Sequence, residues 1–185
     1  MGNKLTAFCG SPRKSGLTNT LLHQIIIGAK SEGMKTVFYD LNMRGIRGCQ
    51  HCGYCRNHEG CSIKDDPLSS MYSDLAETSA ILFGSPIYFY HISGQSKIWL
   101  DRLLPMIDRP GFQSRYPGKK AATVFAQGFD DRTLYQSVIQ EMNDRFDRWG
   151  WKVMDTFLIT ESQGITQDLL DRAYIAGKKL ATESR

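Results

Sequence analysis

Short apolar runs alternate with longer amphipathic stretches along the whole chain, and nothing else in the sequence constrains the fold as tightly. Residues 4–9 (KLTAFC), 35–40 (KTVFYD), 80–83 (AILF), 120–126 (KAATVFA) and 151–159 read as strands. Between them, 18–33 reads as a helix with an apolar stripe at Leu21, Leu22, Ile25, Ile26 and Ala29 and a stop at Gly33. A second helix opens at Asp66-Pro67, with Asp as N-cap and Pro at the first helical position. Further helices are predicted over 93–104, 130–149 and 165–182, while 105–118, with prolines at 105, 110 and 117, reads as irregular. Five strands alternating with helices predict a parallel sheet covered on both faces, and near-continuous apolar strands are what burial on both sides demands. No repeat, low-complexity tract or linker interrupts the pattern, so a single domain over 1–185 is expected. At this length, roughly 70% of the unfolded surface is buried on folding, so the core needs no covalent staple.

Charge and hydropathy narrow the function classes. The formal net charge of +4 suits an anionic ligand, but the 23 Lys and Arg residues are spread along the chain, not gathered into a nucleic-acid stripe. No apolar run approaches the ~18 residues of a membrane span. The first residues, MGNKLTAFCGSPRK, lack the apolar core of a signal peptide, so a cytoplasmic location without a disulfide framework is expected.

In an open sheet of this kind ligands bind beyond the carboxyl ends of the strands, which directs attention to the segments after Cys9, Phe83 and Ala126. The first, residues 10–20, reads GSPRKSGLTNT. A helix start presents unpaired N–H groups and a positive dipole end, so an anion is welcome there. Ser11, Ser15 and Thr18 supply hydroxyls and Arg13 supplies charge, the makings of a phosphate cradle, although a capped helix start in a turn-rich loop would also use several of these residues. It is neither GxxxxGK[ST], since Leu17 follows Gly16, nor GxGxxG.

This turn resembles the FMN phosphate loop of the flavodoxin-like NAD(P)H-dependent FMN reductase family, close to GSPRxxGNT, with Leu17 where the family usually carries Asn. At Leu17 that leaves a backbone N–H as donor, with Asn19 or Thr20 placed to compensate. GSPIYFYHISGQSK, residues 84–97, resembles the same family's second flavin loop, and the resemblance assigns Pro86, Ile87, Tyr88 and Phe89 to the isoalloxazine ring. An aromatic patch at a subunit contact is the other reading of Tyr88–Tyr90 and His91. AQGFD, residues 126–130, falls where the family has a third loop, which points to Gln127 and Gly128. The resemblance implies a flavodoxin-like three-layer sandwich with a five-stranded parallel sheet, bound FMN, NADH or NADPH as electron donor, and a homodimer or higher oligomer.

Four of the five cysteines lie in the predicted loop 45–66, spaced Cys49-x2-Cys52-x2-Cys55-x5-Cys61. Structural zinc usually takes two well-separated Cys-x2-Cys pairs, whereas steps of three resemble the compact ferredoxin run. The loop is also similar to that of the iron–sulfur flavoproteins, a branch of the same family, which implies a [4Fe–4S] cluster near the flavin and electron transfer with ferredoxin. The spacing leaves three uses open: a cluster, zinc, or redox-active or unliganded thiols. Arg47, Arg56 and Lys64 stand near enough in sequence to lower thiol pKa values. His51 and His58 read as solvated loop residues, and Cys9, inside a strand, as a small buried hydrophobe. No Ser/His/Asp order stands out, as expected where a cofactor carries the chemistry. A zinc-stabilised nucleic-acid binder is the reading from another class, and the dispersed basic residues oppose it.

Overall fold

The computed structural model describes residues 3–108 and 113–182. Five parallel strands form the sheet: β1 (Lys4–Cys9), β2 (Lys35–Asp40), β3 (Ala80–Tyr88), β7 (Lys119–Gln127) and β8 (Trp151–Thr160). Their order is β2-β1-β3-β7-β8, and the two-residue β4 (His91–Ile92) turns back antiparallel on the end of β3. A separate two-residue hairpin pairs β5 (Ile107–Asp108) with β6 (Gln113–Ser114), so the stretch read as irregular contains structure; its Pro110 lies outside the described residues.

Alternation along the buried strands divides the core in two. Leu5, Ala7, Leu82 and Val124 face α1 (Leu17–Ser31) and α5 (Gln167–Thr182). Phe8, Ile81, Phe83 and Phe125 face the other way, onto α2 (Met71–Glu77), α3 (Gly94–Arg102) and α4 (Gln136–Arg148). Trp99 of α3 centres that second layer, its ring 4.7 Å from Phe8 and 4.9 Å from Phe83. On the first face α1 and α5 cross closely enough that a Cβ on Gly177 would lie 2.0 Å from the Ile25 carbonyl oxygen, and one on Gly28 2.0 Å from that of Tyr174.

The strand order makes β1 and β3 neighbours whose onward connections leave to opposite faces, through α1 and α3. That reversal opens a crevice at their carboxyl ends. Three boundaries differ from the sequence expectation. β3 runs on through Gly84 because Ser85 and Pro86 pair with Phe125 and Ala126 instead of turning. α2 begins at Met71, since the Asp66 carboxylate pairs with Arg102 and accepts the Arg47 and Leu68 N–H groups instead of capping a helix there. α4 begins at Gln136, after turns tied by Asp131 and Thr133.

Candidate functional site

A cleft of about 340 Å³ opens at the β1/β3 crevice. The β1–α1 turn lines it with Ser11, Arg13, Gly16, Leu17 and Thr18. β3 and its hairpin contribute Pro86, Ile87, Tyr88 and Phe89, and the end of β7 contributes Ala126, Gln127 and Gly128. Eleven of the sequence-predicted residues therefore meet at one place although they come from three distant segments. Ser15 and Asn19 do not line it: Ser15 is exposed, and Asn19 is buried with its amide Nδ2 bracing the Lys14 carbonyl at 2.7 Å. Phe129, Tyr135 and Glu161 line it without having been anticipated.

The turn is built to leave donors free. Gly16 stands at the N-cap of α1 in an extended conformation (φ −76°, ψ 161°), with no side chain capping the helix. The first intrahelical bond runs from the Thr20 N–H to the Gly16 carbonyl, so the N–H groups of the preceding turn have no helical acceptor. Ser11 and Thr18 are buried beside them, and the exposed Arg13 guanidinium enters no ion pair or hydrogen bond among the described residues. Gly10 holds the turn against α3: a Cβ there would sit 1.8 Å from the Ser96 hydroxyl, and the Gly10 carbonyl accepts the Ser93 hydroxyl at 2.7 Å. This end of the cleft suits a dianion, being rich in N–H and hydroxyl donors with one spare cation.

The far end combines apolar and aromatic side chains with the Gln127 amide and the Glu161 carboxylate. Phe89 and Tyr90 form the two-residue turn between β3 and β4 with φ of 45° and 66°, the left-handed values that a type I′ turn needs and that Gly or Asn normally provide. Aromatic residues there store strain, and Phe89 remains 97% exposed. Gln127 is buried; its Nε2 donates to the Phe129 and Asp131 carbonyls, which fixes the amide and leaves Oε1 without a partner. An acceptor held this way calls for a donor on whatever fills the cleft. Glu161, whose N–H bonds the Gln127 carbonyl, closes the cleft with a carboxylate near Gly128.

The four clustered cysteines line a second, smaller pocket of about 30 Å³ together with His51, Arg102 and Pro105. All are free thiols; Cys49 and Cys52 are exposed, Cys55 and Cys61 half-buried. The Ser62 hydroxyl, 3.2 Å from the sulfur, and the Tyr54 backbone hold the Cys52 thiol below its ordinary pKa, whereas burial raises that of Cys55. A hydroxyl, more than the basic residues, thus does the lowering: Arg47 pairs with Asp65, and Lys64 lies over the Tyr54 ring. His58 stacks on Tyr54 at 4.3 Å. Among the described residues no three Cys, His, Asp or Glu side chains meet at a single ion-sized point. Cys9 is buried, its thiol pushed up to about 11 by desolvation.

A doubly wound α/β fold with a donor-rich β1–α1 turn and a cleft at its switch point is an α/β domain of the flavodoxin type. Residues 3–157 match the family described as NADPH-dependent FMN reductase, and the chain belongs to that family, on its iron–sulfur flavoprotein branch. It is 31% identical over 143 residues to an iron–sulfur flavoprotein of Methanocaldococcus jannaschii, covering 77% of this chain and 71% of that one. It is 28% identical over 115 residues to an iron–sulfur flavoprotein of Archaeoglobus fulgidus, of which the chain spans 52%. An NAD(P)H:quinone oxidoreductase of Methanothermobacter marburgensis shares the fold with a TM-score of 0.74 over 96% of this chain and 95% of that one, at 17% identity. A flavodoxin from the domain Archaea does so at 0.61 and 15%, over 97% of each chain. No helix among the described residues is long and apolar enough to cross a membrane.

Proposed function

We propose that this chain binds FMN non-covalently and works as an oxidoreductase, accepting electrons from NADH or NADPH and passing them to a second substrate. The observation that carries this reading is the single cleft where the uncapped β1–α1 turn, the β3 hairpin and the β7 end converge. Bound FMN would supply hydride-transfer chemistry that no side chain lining the cleft offers. The protein's part is to hold and shape. The N–H groups opening α1, the Ser11 and Thr18 hydroxyls and Arg13 would take the phosphate, with Ser15, Gly16, Leu17 and Asn19 completing the turn. The Pro86–Phe89 segment and Gly128 would flank the ring, and Gln127 Oε1 offers its one fixed acceptor to a ring or ribityl donor. Exposed Phe89, Tyr90 and Phe129 beside the cleft support a homodimer that covers it.

The thiol pocket favours a further role within the same scheme. Cys49, Cys52, Cys55 and Cys61 would ligate a [4Fe–4S] cluster that exchanges electrons with FMN and with a ferredoxin. Four free thiols around one pocket are the right donor set, and a reducing cytoplasm would keep them unoxidised. Anaerobic purification tests both parts. The expected protein is yellow-brown, with stoichiometric FMN and iron, and oxidises NAD(P)H when a quinone is supplied. Flavin without iron retains the oxidoreductase and removes the cluster; neither cofactor removes the reading altogether. Cys52→Ser is expected to lose iron and keep flavin, as read by iron analysis and the flavin spectrum of one preparation.

A further inference from the structure

The loop that carries the four cysteines has little structure of its own: one 3-10 turn at Tyr54–Arg56, positive φ at His51, Gly53 and Gly60, and mostly exposed side chains. Its two ends nevertheless meet at a completely buried ion pair. Arg102, the last residue of α3, and Asp66 are both fully shielded from solvent, with Nη1–Oδ2 at 2.6 Å and Nη2–Oδ1 at 3.3 Å. The pair grips Arg47 by its whole backbone: Nη1 donates to the Arg47 carbonyl at 2.8 Å and Asp66 Oδ2 accepts the Arg47 N–H at 3.2 Å. Asp66 Oδ1 also accepts the Leu68 N–H at 3.2 Å. Tyr72 completes the knot, its hydroxyl donating to the Arg102 carbonyl at 2.8 Å and accepting from Arg102 Nε at 3.2 Å. At its other end, α3 is tied by the Ser93 hydroxyl to the Gly10 carbonyl under the phosphate-type turn. Nine helical residues, about 13 Å of rigid rod, therefore join the two sites.

We infer that Arg102, locked to Asp66, is a positioning residue: it closes the cysteine loop at its base and, through α3, sets where the four thiols stand relative to the cleft. The inference rests on the reading of these thiols as ligands, but its mechanical content does not. Replacing a buried ion pair by apolar residues of similar volume often leaves stability unchanged or raised. Position and stability can therefore be separated by experiment. Lysine cannot reproduce the grip, because it lacks the planar fork that spans both Asp66 oxygens and the Arg47 carbonyl.

The test uses the full chain with FMN bound, comparing wild type with the double variant Arg102→Met/Asp66→Leu and with Tyr72→Phe. In iron-free protein, the double variant is expected to keep its flavin and its Tm. Hydrogen exchange at the Arg47 and Leu68 amides and alkylation of Cys55 and Cys61 are expected to speed up by about tenfold or more, as the loop opens independently of the rest. Tyr72→Phe removes the hydroxyl that braces the Arg102 guanidinium and is expected to speed the same exchange and alkylation by a smaller factor. After anaerobic reconstitution, iron per chain should fall below half the wild-type value in the double variant, and Arg102→Lys should lie between. Wild-type exchange and alkylation rates in both the double variant and Tyr72→Phe would overturn the inference. Absence of iron from the reconstituted wild type would defeat the cluster reading and leave the exchange and alkylation comparison to decide the clamp.

Discussion

Arg13 is the side chain on which the electrostatics of the cleft turn. It is exposed, unpaired among the described residues, and sits where the α1 dipole already favours an anion. A charge-assisted hydrogen bond to a phosphate contributes about 1.5–3 kcal/mol, so Arg13→Ala is expected to weaken FMN binding by roughly 10- to 100-fold, measured by flavin fluorescence quenching. Riboflavin affinity should hardly change. Lys119 illustrates a residue whose effect is on stability instead. It is 5% exposed at the amino end of β7, the end of the strand away from the cleft, donates to the Thr78 carbonyl at 2.5 Å, and burial lowers its pKa from 10.5 to about 8. Below about pH 8 the folded protein carries the full cost of that buried charge. Between about 8 and 10.5 the folded state gives up the proton that the unfolded chain keeps, so stability rises with pH. The rise is at most roughly 3 kcal/mol. Denaturant titrations across this window should show the upward slope in wild type and a flatter one in Lys119→Met. At this scale the sequence was most informative where residues are contiguous: Ser11, Arg13, Gly16 and Thr18 fall in one turn and their chemistry announces an anion. Glu161, Tyr135 and the Asp66–Arg102 pair were not legible. A single carboxylate after a strand looks like any surface residue, and no local periodicity joins two positions thirty-six apart.

Elements were legible where apolar spacing is strong. The stripe from Leu21 to Ala29 lies buried on α1 as read, and all five long strands fall where short apolar runs stand. Boundaries failed where a side chain or strand partner found a better use. Gly84 reads as a strand stop but is carried through by pairing with β7, and Asp66 reads as a helix cap but serves Arg102. The crossing of α1 over α5 was also invisible, because it depends on Gly28 meeting the Tyr174 backbone and Gly177 that of Ile25. Gly177→Ala should therefore destabilise by roughly 2 kcal/mol or more, since its Cβ would meet a carbonyl and not a movable side chain. That corresponds to a Tm fall of about 2–4 °C per kcal/mol, readable by thermal unfolding, with cysteine chemistry unaffected.

For the molecule as a whole, strand order converts scattered motifs into a site. Three segments separated by dozens of residues converge only because β1, β3 and β7 are neighbours with their carboxyl ends together. Alternating elements imply that arrangement, which is why the fold and the location of the cleft could be read from sequence, while the small thiol pocket and its clamp depend on how α3 bridges the two. On the proposed reading, the β1–α1 turn is where the ligand is anchored. The direct measurement is the affinity of the purified protein for FMN beside riboflavin, which differs only in lacking the phosphate. FMN binding at least ~100-fold tighter than riboflavin is the predicted result, with the gap narrowed by roughly 10- to 100-fold in Arg13→Ala. Equal affinities for the two flavins, or no binding of either, would contradict the account.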